Sequence, residues 1–263
     1  MYNFIKAAMR QAAEIMLEAD DITSKVKSKA GDANFVTAYD VAVEKYLTES
    51  LTKQLPEADV LGEEETSDNS AALERGLCFI IDPIDGTTNF IHGRRYSAIS
   101  VGLCDKGEMI YGAIYDPYSE RMYYAEKGKG AFVTLGGGKG NVRLEVQDKP
   151  LSECLATFGT SPYLREKLGK ATFETAYKMF MNTLDLRRSG AASLDLASVA
   201  SGTLDIFFEY SLSPWDFAAG SLIITEAGGV ITDMDGKTLE FGKNTSILCG
   251  NRQAHAEWLE LNK

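Results

Sequence analysis

Apolar residues Ile5, Ala8, Ala12, Ile15, Met16 and Ala19 recur at helical spacing with charges between them, so 3–20 is expected to be an amphipathic helix. A second helix is expected over 39–55. Between them, 24–35 carries Lys25, Lys27, Lys29, Gly31 and Asp32 and reads as a mobile loop, of the kind that acts as a lid. Strand-type runs follow at 60–62, 77–81, 97–103, 109–115, 121–126 and 131–134, joined by turns such as Asp105-Lys106-Gly107. That is a meander of mainly antiparallel strands.

From 151 the pattern alternates. A strand is expected over 155–158, a helix over 173–181, a helix over 191–201 closed by Gly202 and a strand over 204–209. A helix over 217–227 closed by Gly228-Gly229, a strand over 246–249 and a helix over 253–261 complete the chain. No repeat, long linker or low-complexity stretch appears, so 1–150 and 151–263 are read as halves of one unit. Gly136-Gly137-Gly138-Lys139-Gly140 has no Ser or Thr after its lysine and no helix pattern beyond it, so it reads as a hairpin loop and not a phosphate loop.

The 263 residues are 44% hydrophobic with a formal net charge of −11, ordinary for a packed protein and wrong for one that tracks a nucleic-acid backbone. Cations and small molecules are the expected partners. Cys78, Cys104, Cys154 and Cys249 form no C-x-x-C pair and read as reduced core residues. Two histidines, His92 and His255, are too few for a His-rich zinc site, which leaves hard-metal oxygen chemistry. Lys6, Arg10, Glu14 and Glu18 interrupt any apolar leader or membrane span, so a cytoplasmic protein is expected.

The chemistry begins where the apolar run 77–81 meets Asp82-Pro83-Ile84-Asp85-Gly86-Thr87-Thr88-Asn89-Phe90. Two carboxylates three apart at a strand end suit Mg²⁺, and Gly86, Thr87 and Thr88 offer amides and hydroxyls to a phosphate at a helix start. Asp40, Glu63 and Asp216 are further acids at element boundaries. Asp216 also reads as a helix N-cap, Glu209 also as a strand-end surface residue, and the acidic triplet Glu63-Glu64-Glu65 also as solvated surface.

Together, Asp32-Ala33-Asn34-Phe35-Val36-Thr37 with Asp40, Gly62-Glu63-Glu64, 82–90, Arg188-Ser189-Gly190-Ala191-Ala192 and Trp215-Asp216 through Gly220 resemble the inositol monophosphatase family of Mg²⁺-dependent, lithium-sensitive phosphatases. The resemblance spans essentially the whole chain. It implies an α/β fold, a layered αβαβα sandwich, with the site between the two halves. It further implies that Glu63, Asp82 and the Ile84 carbonyl hold one Mg²⁺ while Asp82, Asp85 and Asp216 hold a second, with a third, weaker ion near Glu63 in some members. Asp40 and Thr87 would orient or deprotonate the attacking water, with Glu64 assisting. Gly86, Thr87 and Thr88 would cradle the phosphoryl group. Asp85, Thr160, Gly190, Ala191, Ala192 and Glu209 would read the polyol.

Two departures from the pattern stand out. Ala191 replaces a frequent hydroxyl residue, and Phe79 a frequent tryptophan. The implied reaction is hydrolysis of a small phosphorylated polyol, inositol monophosphate first, by a homodimer. A fructose-1,6-bisphosphatase or another sugar or nucleotide phosphatase is the alternative, with Lys29, Arg165, Arg187 and Arg188 as candidates for a second phosphate. A regulatory protein on the same fold is the reading from another class.

Overall fold

A computed structural model of the protein describes residues 2–29, 35–64, 71–136 and 140–262. The chain opens with helix α1 (Asn3–Leu17), then an antiparallel ribbon of β1 (Val26–Ser28) and β2 (Phe35–Thr37), then α2 (Ala38–Gln54). A seven-stranded sheet follows, ordered β3 (Asp59–Gly62), β4 (Leu77–Asp85), β5 (Ala98–Asp105), β6 (Glu108–Asp116), β7 (Arg121–Glu126), β8 (Ala131–Thr134) and β9 (Asn141–Arg143). Short helices α3 (Ala72–Arg75) and α4 (Thr87–Ile91) flank β4. β3 and β4 pair in parallel and the remaining neighbours antiparallel.

The rest of the chain supplies β10 (Leu155–Phe158), α5 (Arg165–Asn182), β11 (Asp185–Arg187), α6 (Ala192–Ala200), β12 (Ile206–Leu212), α7 (Pro214–Glu226), β13 (Val230–Thr232), β14 (Thr245–Gly250) and α8 (Arg252–Leu261). Its five strands are ordered β11-β10-β12-β14-β13.

Strand alternation sorts the side chains into layers. On β4, Phe79 and Ile81 pack with α1 and α2, while Cys78 and Ile80 face α6 and α7. On β12, Phe207 faces α6 and α7, and Ile206 and Phe208 face α5 and α8. The order is therefore α1/α2, seven-stranded sheet, α6/α7, five-stranded sheet, α5/α8, the expected αβαβα sandwich. The four cysteines are free and buried. No helix among the described residues is long and apolar enough to cross a membrane.

Close approach of α7 to the sheet places the site. A Cβ on Gly112 would lie 2.6 Å from the Ala219 carbonyl oxygen, so only glycine leaves room for the helix there. Ala218, Ala219 and Gly220 keep that face of α7 thin, and Gly220 in turn accommodates Leu196 of α6. The N-terminus of α7 is thereby carried to the end of β4.

Several elements differ from the sequence reading. Part of the expected loop 24–35 is β1 and β2, while 30–34, including Asp32, Ala33 and Asn34, lies outside the described residues. Gly137, Gly138 and Lys139 also lie outside them, although the flanking β8 and β9 pair as a hairpin does. α1 ends at Leu17 and not at 20. α5 begins at Arg165, eight residues before the expected start, because its polar first turns bury little and show no apolar stripe. β4 does not break at Ile81 but continues to Asp85 through an irregularity between Asp82 and Asp85. Pro83 is tolerated there because β3 ends at Gly62, opposite Ile81, so no strand needs its missing amide.

Candidate active site

That early end of β3 opens the mouth of a cleft of about 400 Å³ at the carboxyl ends of two parallel strands. Glu63 follows β3, Asp82 and Asp85 lie on β4, and Asp216 on the first turn of α7; all four line the cleft. So do Ile84, Gly86, Thr87, Thr88, Thr160, Gly190, Ala191, Ala192 and Glu209. Two expected residues stand just behind it. Asp40 is buried under Thr87, and Glu64 is bonded to Lys29.

Asp82 is the centre of charge. It is 1% exposed, and its Oδ1 has no hydrogen-bond partner. Burial first, then repulsion from Glu63, Asp85, Asp216 and Asp40, holds its carboxyl well above the usual range. Asp216 is raised well above that range in the same way, by burial and then Glu63 and Asp85.

Asp85 is better anchored. Its Oδ1 accepts from the Ala192 amide at 3.1 Å and its Oδ2 from the Ser193 amide at 2.7 Å and the Ser193 hydroxyl, so it caps the start of α6. These bonds offset part of the burial, leaving its pKa raised to about 6. Ala192 thus turns its amide toward a protein carboxylate. Ser193, absent from the sequence reading, is the residue that fixes it.

Asp40 and Asp216 take the same position in two helices. Each is the third residue, its carboxylate accepting from the backbone amide of the preceding cap, Thr37 at 2.8 Å and Ser213 at 2.7 Å. Asp216 is therefore not itself the N-cap. The Thr37 hydroxyl also donates to Asp40 Oδ2 at 2.5 Å, while Thr87 Oγ1 lies 3.2 Å from Asp40 Oδ1 and 3.1 Å from the Ile84 carbonyl oxygen. Burial raises the Asp40 pKa to about 6.

Gly86 has φ +84°, the left-handed conformation that turns β4 into α4. A Cβ there would meet Ala191 Cβ at 3.0 Å and the Gly190 carbonyl at 3.2 Å. The first amides of α4 have no partner within the helix.

Across the cleft, Glu209 is 7% exposed, so its alternative reading as a surface residue fails. It accepts from the Ser161 amide at 2.8 Å and the Ser161 hydroxyl at 2.9 Å, and burial pushes its pKa up to about 7. Ser161 also escaped the sequence reading, although it adjoins Thr160. Of the four basic candidates, Lys29 and Arg188 line the cleft; Arg187 and Arg165 do not. Lys29 bridges Glu63 at 2.8 Å and Glu64 at 2.7 Å. Burial works against its charge, but the two glutamates outweigh it and raise its pKa. The Glu64 pKa is pushed up to about 7, chiefly by burial.

A hard divalent cation fits this donor set by its chemistry. The donors are oxygens, one buried carboxylate oxygen lacks a partner, and burial and then neighbouring acids raise Asp82, Asp85 and Asp216. As the side chains stand, no three acidic, His or Cys groups among the described residues converge at ligating distance.

A sequence profile described as the inositol monophosphatase family matches residues 1–261. The chain belongs to the inositol monophosphatase family. Within it, the chain is 35% identical to inositol-1-monophosphatase of Caulobacter vibrioides, over 97% of this chain and 98% of that protein. It is 37% identical to a putative Nus factor SuhB of Neisseria meningitidis serogroup B, over 97% and 94%. Among solved structures, the extragenic suppressor protein suhB from Bartonella henselae superposes with a TM-score of 0.85 at 31% identity, covering 99% and 97%. SaIMPase-II with inositol monophosphate bound superposes at 0.80 and 28%, covering 98% and 92%. The family carries the fold described above, and its members make this chain a phosphoric monoester hydrolase.

Proposed function

We propose that the cleft hydrolyses the phosphate monoester of a small polyol, inositol monophosphate first among them, with the help of Mg²⁺. The observation that carries the reading is the buried Asp82, with an unpartnered oxygen among Glu63, Asp85 and Asp216. Glu63, Asp82, Asp85, Asp216 and the Ile84 carbonyl would hold two or three Mg²⁺ ions. When bound, these ions supply a lowered water pKa and neutralise charge on the leaving oxygen.

The chain's own groups do the rest. Thr87 Oγ1 stands between two acceptors, so its proton goes to Asp40 or Ile84 and its free lone pair can take a proton from water. Asp40 is the acceptor at the end of that relay. Glu64 assists from behind through its bond to Lys29. The amides at Gly86, Thr87 and Thr88 face developing charge on the phosphoryl oxygens. Glu209, Thr160 and the 190–192 turn accept or donate to polyol hydroxyls.

A homodimer is supported by an apolar stripe on α5 and just beyond it: Phe173, Tyr177, Phe180, Met181 and Leu184 are 62, 67, 50, 61 and 68% exposed. Phe180→Asp should shift the mass measured by light scattering to that of a monomer. A cytoplasmic location fits the four free thiols.

The test is phosphate release across a panel of inositol, sugar and nucleotide phosphates, with and without Mg²⁺ and with added Li⁺. Fast, Mg²⁺-dependent, lithium-sensitive turnover of inositol phosphates is expected. If they rank among the poorest substrates, the substrate assignment fails. Arg188 in the cleft favours a sugar bisphosphate as the second reading. The SuhB names of relatives favour a regulatory role, which Asp82→Asn discriminates: a regulatory role would survive the loss of turnover.

A further inference from the structure

A second cavity, of about 290 Å³, adjoins the carboxylate cleft and shares Arg188 and Asp195 with it. Arg94 and Arg187 line it as well, with Tyr96 and Ser198. Three guanidinium groups around one small space are notable in a chain of net charge −11. Their charges are poorly matched. Arg187 pairs with Asp185 at 2.5 Å, but neither Arg94 nor Arg188 forms an ion pair among the described residues. Arg94 donates instead to the Ser189 carbonyl at 2.6 Å, and Arg188 to Thr160 Oγ1 at 2.9 Å.

These neutral acceptors leave guanidinium charge and N–H donors unspent, since each group carries five donors in a planar fork. The facing acid is Asp195, whose Oδ2 is turned to the Ser189 hydroxyl at 2.5 Å. A planar donor fork with unbalanced charge is the arrangement that recognises a phosphate-type oxyanion.

We propose that this cavity is a second oxyanion site, filled by a phosphate group held by Arg94, Arg187 and Arg188. The phosphate has two possible sources, free orthophosphate or the distal phosphate of a doubly phosphorylated substrate. The second source rests on the carboxylate cleft being the hydrolytic site. The site itself does not. A phosphate here would also grip the 187–190 segment, which leads into the α6 start that holds Asp85.

The test is titration of the full chain with inorganic phosphate in EDTA, followed by calorimetry. Without a metal the carboxylate cleft repels anions, so saturable binding reports the arginine cavity whatever the cleft does. One phosphate per chain is expected, weakened about tenfold or more by Arg94→Gln and by Arg187→Gln, as the loss of one charge-assisted bond implies. Asp82→Asn should leave it unchanged. No saturable binding, or binding that both arginine variants keep at full strength, overturns the proposal.

Kinetics then separate the sources. If Arg94→Gln raises KM for a hexose bisphosphate and not for the monophosphate, the occupant is the distal phosphate. If it weakens only product inhibition by phosphate, the occupant is orthophosphate. A variant that moves neither quantity counts against the site. A wild-type chain that binds phosphate but hydrolyses no monoester would instead sink the hydrolytic reading.

Discussion

The Thr87 hydroxyl lies 3.2 Å from Asp40 Oδ1, joining the turn after β4 to the first turn of α2. Thr87→Val and Asp40→Asn should each lower kcat by roughly 10²–10³, and the double variant little further, because both remove one relay. Circular dichroism should show the fold retained. With Asp40 raised to about 6, its base form is lost below that pH, so wild-type kcat should rise with pH through about 6. Additive losses in the double variant would separate the two residues.

Asp82→Asn should have opposite effects on stability in two buffers. In EDTA it removes a buried carboxylate that four acids repel, and the melting temperature should rise. In Mg²⁺ the wild type should gain the stabilisation expected of a ligand bound to the folded state, and the variant should not. Thermal unfolding in both buffers measures this, and equal Mg²⁺-induced shifts would remove Asp82 from the ligand set.

Gly159 is buried against Glu209, and a Cβ there would fall 1.7 Å from Oε2. Gly159→Ala must displace that carboxylate from Ser161. The expected cost is about 1–3 kcal/mol of stability with a raised KM, while Mg²⁺ binding stays near wild type because the proposed cation ligands lie elsewhere. Denaturant unfolding and initial rates check both parts.

Asp195 is 1% exposed, and burial raises its pKa to about 7. The folded state therefore holds this proton where the unfolded state has released it. Its contribution to stability is fully present below the unfolded value near 4 and is lost as pH rises to about 7, by at most about 1.4 kcal/mol per unit. Asp195→Asn should accordingly gain stability relative to wild type between pH 4.5 and pH 7. A pH-independent difference would show that Asp195 ionises in the folded protein as it does unfolded.

Local signals carried most of the architecture. The apolar spacing of α1, the strand runs around Ile80 and Val101 and the glycines after α6 and α7 are decided within a few residues, and each of those elements is present, with ends shifted by a few residues in α1, β4 and α7. The start of α5 was hidden because its first turns bury almost nothing. β11 and β13 have three residues each, too few to show an alternating pattern, and stand at the edges of their sheet, each paired only with the neighbouring strand, β10 or β14.

The same division holds at the cleft. Its lining acids were legible because they sit in short motifs. Ser193 on Asp85 and Ser161 on Glu209 were not, since their partners are about a hundred and about fifty positions away. Thr37 was within reach, because Thr37-Ala38-Tyr39-Asp40 has the spacing of a capping box.

The paired helix starts at Asp40 and Asp216 divide the labour of a single carboxylate. One oxygen of each is committed to the architecture, accepting the cap amide, and the other is left free of the helix start for the proposed chemistry. Neither acid can be deleted without loosening the helix that delivers it. An asparagine, which keeps an acceptor and loses the charge, is the replacement that can silence the reaction while leaving the scaffold standing.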